Sequence, residues 1–132
     1  FALSKLNRLY SKAYHLSPDT HSNADIYHFK EALELHIREY HTVDDYCRLL
    51  QLSRHQLNQM SKACFGHTSK EVIQFRLLQE IQMDLRYTGH TISEISHTLN
   101  FSDPNNLTRF FSRIAGQSPK AYRKNYQNDR NL

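Results

Sequence analysis

Apolar residues recur at steps of three and four along most of this chain, the spacing of helices that each bury one face. The clearest stretch runs from Thr91 to Tyr122, TISEISHTLNFSDPNNLTRFFSRIAGQSPKAY. Thr91 and Glu94 form the T-x-x-E pattern of a capping box, in which two unpaired amides at a helix start are satisfied reciprocally. Ile92, Ile95 and Leu99 then mark one buried face of a short helix. At Asn100 the chain must turn, and Asn tolerates a positive φ better than most residues with a side chain. Ser102 is placed to cap the next helix, with Pro104 in its first turn, where a missing amide costs little. Leu107, Phe110, Phe111 and Ile114 share one face of that helix. The opposite face carries Asn105, Arg109 and Ser112, with Thr108 and Arg113 flanking, and Asn106 lies in the first turn. Gly116 closes the helix, and Ser118-Pro119 opens another.

Two short helices joined by a tight turn, the second presenting Asn and Arg outward, make a helix-turn-helix pattern. The outward residue types have a chemistry to match. Arg can bond O6 and N7 of guanine together, and Asn can do the same with N6 and N7 of adenine.

Residues 43–66 repeat this pattern. Val43, Tyr46, Leu50 and Ser53 match Ile92, Ile95, Leu99 and Ser102 at an offset of 49. Leu57, Met60, Cys64 and Gly66 match Leu107, Phe110, Ile114 and Gly116 at an offset of 50, so one residue is inserted in the second copy near Pro104. The first copy has its own capping box, Ser53 to Gln56. Its outward face offers His55, Gln59 and Lys62, with Arg54 in the first turn and Asn58 alongside.

Between the copies, Thr68 and Glu71 predict a third capping box and a helix to about Arg86. Val72, Ile73, Phe75, Leu77, Leu78, Ile81, Met83 and Leu85 leave little of its circumference polar, which predicts a buried helix tying the two copies together, with Gly89 as its stop. At 1.5 Å per residue it spans roughly 27 Å, compatible with two recognition helices about one DNA turn, ~34 Å, apart. Upstream, Ile26, Phe29, Leu33, Ile37 and Tyr40 predict a helix over Ala24–Tyr40, capped by Asn23 or Asp25, with Lys30, Glu31, Glu34 and Arg38 on a solvated face. Leu3, Leu6, Tyr10 and Ala13 predict a short amphipathic helix over 1–16, and Ser17–Asn23 reads as a linker. Past Tyr122 the periodicity fades, which predicts a frayed tail over 125–132.

The string FSDPNNLTRFFSRIAGQSPKAYRK resembles the second helix-turn-helix of the AraC/XylS family of bacterial transcription regulators. That pattern is aromatic-Ser-Asp/Glu, then aliphatic-x-Arg-x-Phe, then Gly-x-Ser-Pro-x-x-Tyr/Phe-Arg. It is met at Phe101, Ser102, Asp103, Leu107, Arg109, Phe111, Gly116, Ser118, Pro119, Tyr122 and Arg123. The resemblance extends from about Ile26 to Lys124. It implies an all-α, homeodomain-like, duplicated fold of seven helices, led by a helix packed on the first motif. The implied organisation is the end of a missing N-terminal domain and a linker over 1–22, then a DNA-binding domain over 23–124. Within it fall a first motif at 43–66, a linking helix at 69–87 and a second motif at 91–116. The implied function is sequence-specific binding of double-stranded DNA through Arg54, His55, Asn58, Gln59, Lys62, Asn105, Asn106, Thr108, Arg109 and Arg113. Lys62, Arg113, Arg123 and Lys124 suit phosphate better than bases. RNA polymerase is a candidate partner, and dimerisation would fall to the missing domain. No cofactor is implied. The first copy departs from the family at Gln51, where Gly is usual, and at Ser61, where a large ring is usual. A cavity at Ser61 would leave the first motif the looser of the two. The small residue at the helix crossing, usually Ala, is Cys47 in one copy and Ser96 in the other.

Composition adjusts this picture only in part. The net charge of +4 falls wholly in residues 43–132, and the segment 101–124 has five basic residues against Asp103 alone. A basic second half suits a polyanion. Three Gly and three Pro in 132 residues argue against an all-β architecture. Cys47 and Cys64 lack metal spacing and read as small core thiols of a reducing, cytoplasmic compartment. No run of about 20 apolar residues suggests a membrane span. Nine histidines invite a metal reading, but no H-x3-H pair or Cys/His cluster accompanies them. Ser, His and Asp are present without a nucleophile elbow, a phosphate loop or paired carboxylates, so no enzyme is expected. The competing reading is a helical protein-interaction module whose DNA faces have degenerated.

Overall fold

The computed structural model describes residues 20–130 as seven α-helices, with no strand among the described residues. They are α1 (Thr20–His36), α2 (Val43–Leu50), α3 (Arg54–Phe65), α4 (Ser69–Tyr87), α5 (Ile92–Thr98), α6 (Pro104–Ala115) and α7 (Pro119–Arg130). The chain divides into two compact units between Leu77 and Leu78, inside α4. The expected helix at 1–16 lies outside the described residues.

In the first unit, α1 packs against α2 and α3. Ile26, Phe29, Leu33 and Ile37 are buried, as their spacing requires, and Phe29 meets the Tyr46 ring edge-on at 6.0 Å. Tyr46 is fully buried and donates its hydroxyl to the Tyr40 carbonyl at 2.9 Å. The helix starts at Thr20 and ends at His36, four residues before the expected bounds at each end. Asn23 and Asp25 therefore lie within the helix and not at its start. Glu34 is not merely solvated. It takes a bidentate pair of hydrogen bonds from Arg76 of α4, at 2.8 and 3.4 Å.

The second unit repeats the plan with α5, α6 and α7. Ile95, Leu99, Leu107 and Phe111 are fully buried, and Phe111 meets Tyr122 of α7 edge-on at 5.5 Å. The turns of both motifs close alike. Gln51 (φ 57°) and Asn100 (φ 61°) are left-handed, and the next amide in each case bonds five residues back, Leu52 to Cys47 and Phe101 to Ser96. Both recognition helices end on a left-handed glycine, Gly66 (φ 73°) and Gly116 (φ 77°), which no side chain adopts cheaply. The cap of α6 is Asp103, not Ser102, with its carboxylate accepting the Asn106 amide at 2.8 Å. Ser53 and Asp103 thus correspond, and the inserted residue is Ser102, in the turn itself.

The helix α4 is continuous, but its circumference is not apolar all round. Val72, Ile73, Leu77, Ile81 and Leu85 are buried as expected. So are Arg76, Glu80 and Asp84, a charged stripe at four-residue spacing in which no member lacks a partner. Met83 and Tyr87 are exposed instead. Gly89 is not the stop, since it does not enter the left-handed region. Thr88 ends the helix by turning its hydroxyl onto the Asp84 carbonyl at 2.6 Å. Nor does α7 fray at 125. It runs to Arg130, with Tyr126 against Tyr87 at 6.1 Å and the Arg86 guanidinium over both rings.

Ser61 is the position where the sequence misled most. It is fully buried and donates to the His67 carbonyl at 2.8 Å, so its polar group is satisfied. The missing ring has moved one turn along: Phe65 is buried, where the second copy has Ala115. The pair Ser61/Phe65 thus exchanges volume with Phe111/Ala115. Ser61→Phe should therefore overpack the first motif and lower the unfolding free energy by about 1–3 kcal/mol. A rise in urea midpoint would show that a void had been filled instead. Ile81→Asp, at a fully buried position, should cost ~3–5 kcal/mol, read as a fall in thermal midpoint.

Candidate nucleic-acid interface

Each recognition helix is oriented by what it buries. In α3, Leu57, Ser61 and Phe65 face the first unit's core, and His55, Gln59 and Lys62 are exposed on the other side. In α6, Leu107 and Phe111 are buried, and Asn105, Arg109 and Arg113 are exposed. Counting from the caps, His55 corresponds to Asn105 and Gln59 to Arg109.

The remaining expected residues have local partners. Asn58 is half-buried, and its Oδ1 accepts from the Ser69 amide at 3.0 Å and the Ser69 hydroxyl at 3.2 Å, joining α3 to the start of α4. Thr108, its counterpart, is also half-buried. The Arg54 Nε meets Asp44 Oδ1 at 2.6 Å, and that bond raises the guanidinium pKa above its ordinary value. Both side chains are mostly exposed, so the pair adds little stability but restrains Arg54. Arg113 lies over the Phe110 ring at 5.8 Å. The Asn106 Nδ2 donates to Ser102 Oγ, while its Oδ1 accepts from Arg109 Nη2.

A groove of about 560 Å³ in the first unit brings Arg54 together with Lys70, Thr42 and Ser69. Lys70 was not anticipated, because it belongs to α4 and only the fold of the first unit brings it to the groove that Arg54 lines. Arg123, anticipated as a phosphate contact, has a different task. Its guanidinium donates to the carbonyls of Leu85 (2.9 Å), Thr88 (3.3 Å) and Asp84 (3.5 Å), closing the C-terminus of α4.

The helix starts carry the expected capping boxes. Glu71 and Glu94 each accept a backbone amide, from Thr68 and Thr91, which holds both carboxyls below the ordinary glutamate pKa. Cys47 and Cys64 are free thiols whose pKa values burial pushes up, so neither is primed as a nucleophile.

The fold and its outward faces define a duplicated helix-turn-helix domain. Residues 46–125 match the family model described as "Helix-turn-helix domain". The chain belongs to this class, and within it to the AraC/XylS family of transcription regulators. Among curated relatives, the HTH-type transcriptional activator RhaR of Yersinia pestis bv. Antiqua (strain Angola) is 28% identical over 122 residues, covering 92% of this chain and 41% of that protein. The chain thus spans about two-fifths of the length of such relatives. An AraC-type regulator from Chromobacterium violaceum superposes with a TM-score of 0.67 at 19% identity, covering 82% of this chain and 96% of that one. The DNA-binding domain of the global transcriptional factor AdpA, solved in complex with a target DNA, gives 0.66 at 24% identity, covering 78% and 92%. These two likenesses concern the fold.

If Arg123 serves α4 and not DNA, Arg123→Ala should lower the unfolding free energy by roughly 1.5–3 kcal/mol, the range for hydrogen bonds to charged groups. It should leave the salt dependence of DNA binding unchanged.

Proposed function

We propose that this chain is the DNA-reading part of a transcription regulator and that its two recognition helices address adjacent major-groove segments of one site. The observation that carries the reading is the outward face of α6, where Arg109 and Asn105 are exposed directly opposite Leu107 and Phe111. Arg109 is the principal base reader, with guanine as its partner, and Asn105 stands one turn nearer the helix start. In α3, His55 and Gln59 occupy the equivalent base-reading positions. Lys62, Arg113 and Lys70 supply phosphate contacts, and Arg54 joins them where Asp44 leaves it free to turn. The relatives named as transcriptional activators support the wider role. Contact with RNA polymerase and dimerisation through a preceding domain belong to the same proposal.

The test begins with selection of preferred sites from random DNA by the chain itself. A bidentate Arg–guanine contact contributes roughly 1–3 kcal/mol of discrimination. Arg109→Ala should accordingly weaken binding to the selected site and relax preference at one base position. Lys62→Ala should weaken all sequences alike and lower the salt slope by about one. If neither variant changes affinity for any DNA at low salt, the chain is a helical interaction module and not a DNA reader.

A further inference from the structure

The two motifs differ at the third residue of their recognition helices. In the first, Gln56 reaches back to the Ser53 amide at 2.9 Å and completes a capping box. The residue before that cap is Leu52, whose side chain offers no polar atom. In the second, the extra turn residue places the Ser102 hydroxyl immediately before the cap, and Asp103 caps alone. Asn106 then spans two partners, donating from Nδ2 to Ser102 Oγ and accepting at Oδ1 from Arg109 Nη2. Chemistry assigns the amide orientation: a guanidinium only donates, so the Asn106 oxygen must face it.

We infer that Asn106 is a positioning residue, which holds the Arg109 guanidinium in its base-reading direction through a Ser102–Asn106–Arg109 relay that the longer turn of the second motif makes available. The inference rests on the reading of α6 as a recognition helix. It differs from the sequence expectation, in which Asn106 itself touched DNA. Arg109 is a long, exposed side chain with many rotamers, and freezing them before binding removes part of the entropy cost of a bidentate contact. Asn106 engages one of its five N–H donors and leaves others for a base edge. At the corresponding positions of the first motif, Gln56 is committed to its cap and Gln59 is uncharged, so the same device is absent there.

The experiment compares Asn106→Ala, Asn106→Asp, Arg109→Ala and the Asn106→Ala/Arg109→Ala double variant on the selected site and on its single-base variants. Arg109→Ala should reduce discrimination at one base pair by roughly 5- to 150-fold. Asn106→Ala should reduce discrimination at that same base pair by about three- to ten-fold, without altering the salt slope. In the Arg109→Ala background it should have no further effect, the non-additivity of a coupled pair. Asn106→Asp keeps an acceptor for Arg109 and should retain the base preference, while weakening binding to every sequence through its charge. In the free protein, slow rotation of the Arg109 guanidinium about Nε–Cζ, followed by NMR, should become fast in Asn106→Ala.

Discrimination unchanged in Asn106→Ala, with Arg109→Ala still relaxed, would overturn the relay. So would an effect at a different base pair, or additive effects of the two substitutions, since Asn106 would then be reading DNA on its own account. If Arg109→Ala leaves discrimination intact, α6 is not the reading helix, and the relay falls with that assignment.

Discussion

The architecture depends on one backbone reversal in each motif, made by Gln51 and Asn100 in the left-handed region. A residue with a side chain costs roughly 1–2 kcal/mol there. The cost is offset because the reversal lets the next amide bond five residues back and turns the second helix across the first. Leu57 and Leu107 then fall into their cores, and the faces opposite them turn to solvent. The outward positions of Gln59 and Arg109 are therefore consequences of burial on the other side.

The two copies reach the same backbone with different side chains. The second motif packs Phe111 edge-on against Tyr122 and keeps a small Ala115, while the first keeps a small Ser61 and buries Phe65. A core responds to total volume and shape more than to which position supplies the ring. This freedom does not extend to the turns or the terminal glycines, where the left-handed backbone recurs in both copies. Duplication has thus preserved the frame and released the faces. One turn gained a residue, and with it the hydroxyl that Asn106 engages.

Charge is distributed by role. Arg76 and Arg123 are consumed inside the fold, one by Glu34 across α1 and α4, the other by the last carbonyls of α4. Lys62, Arg109 and Arg113 remain exposed. Net charge alone could not separate these groups, because a guanidinium closing a helix end and one facing solvent count the same. The basic character of residues 43–132 therefore overstates the cationic surface available to a polyanion.

Local chemistry determined most of what was legible in the sequence. Capping boxes at Thr68 and Thr91, the turn at Asn100, the stops at Gly66 and Gly116, and the apolar faces of α2, α3, α5 and α6 are interactions within a few residues. They can be read from order alone. Contacts that depend on residues distant in sequence were not legible. The pairing of Glu34 with Arg76, the closure of α4 by Arg123, the burial of Arg76, Glu80 and Asp84, and the continuation of α7 to Arg130 were decided by packing. A buried charge is tolerated only when folding supplies its partner, and periodicity carries no information about a partner on another helix. For the same reason, the sequence located the outward faces of α3 and α6, while only the packing between elements turned Asn58 of α3 toward Ser69 of α4.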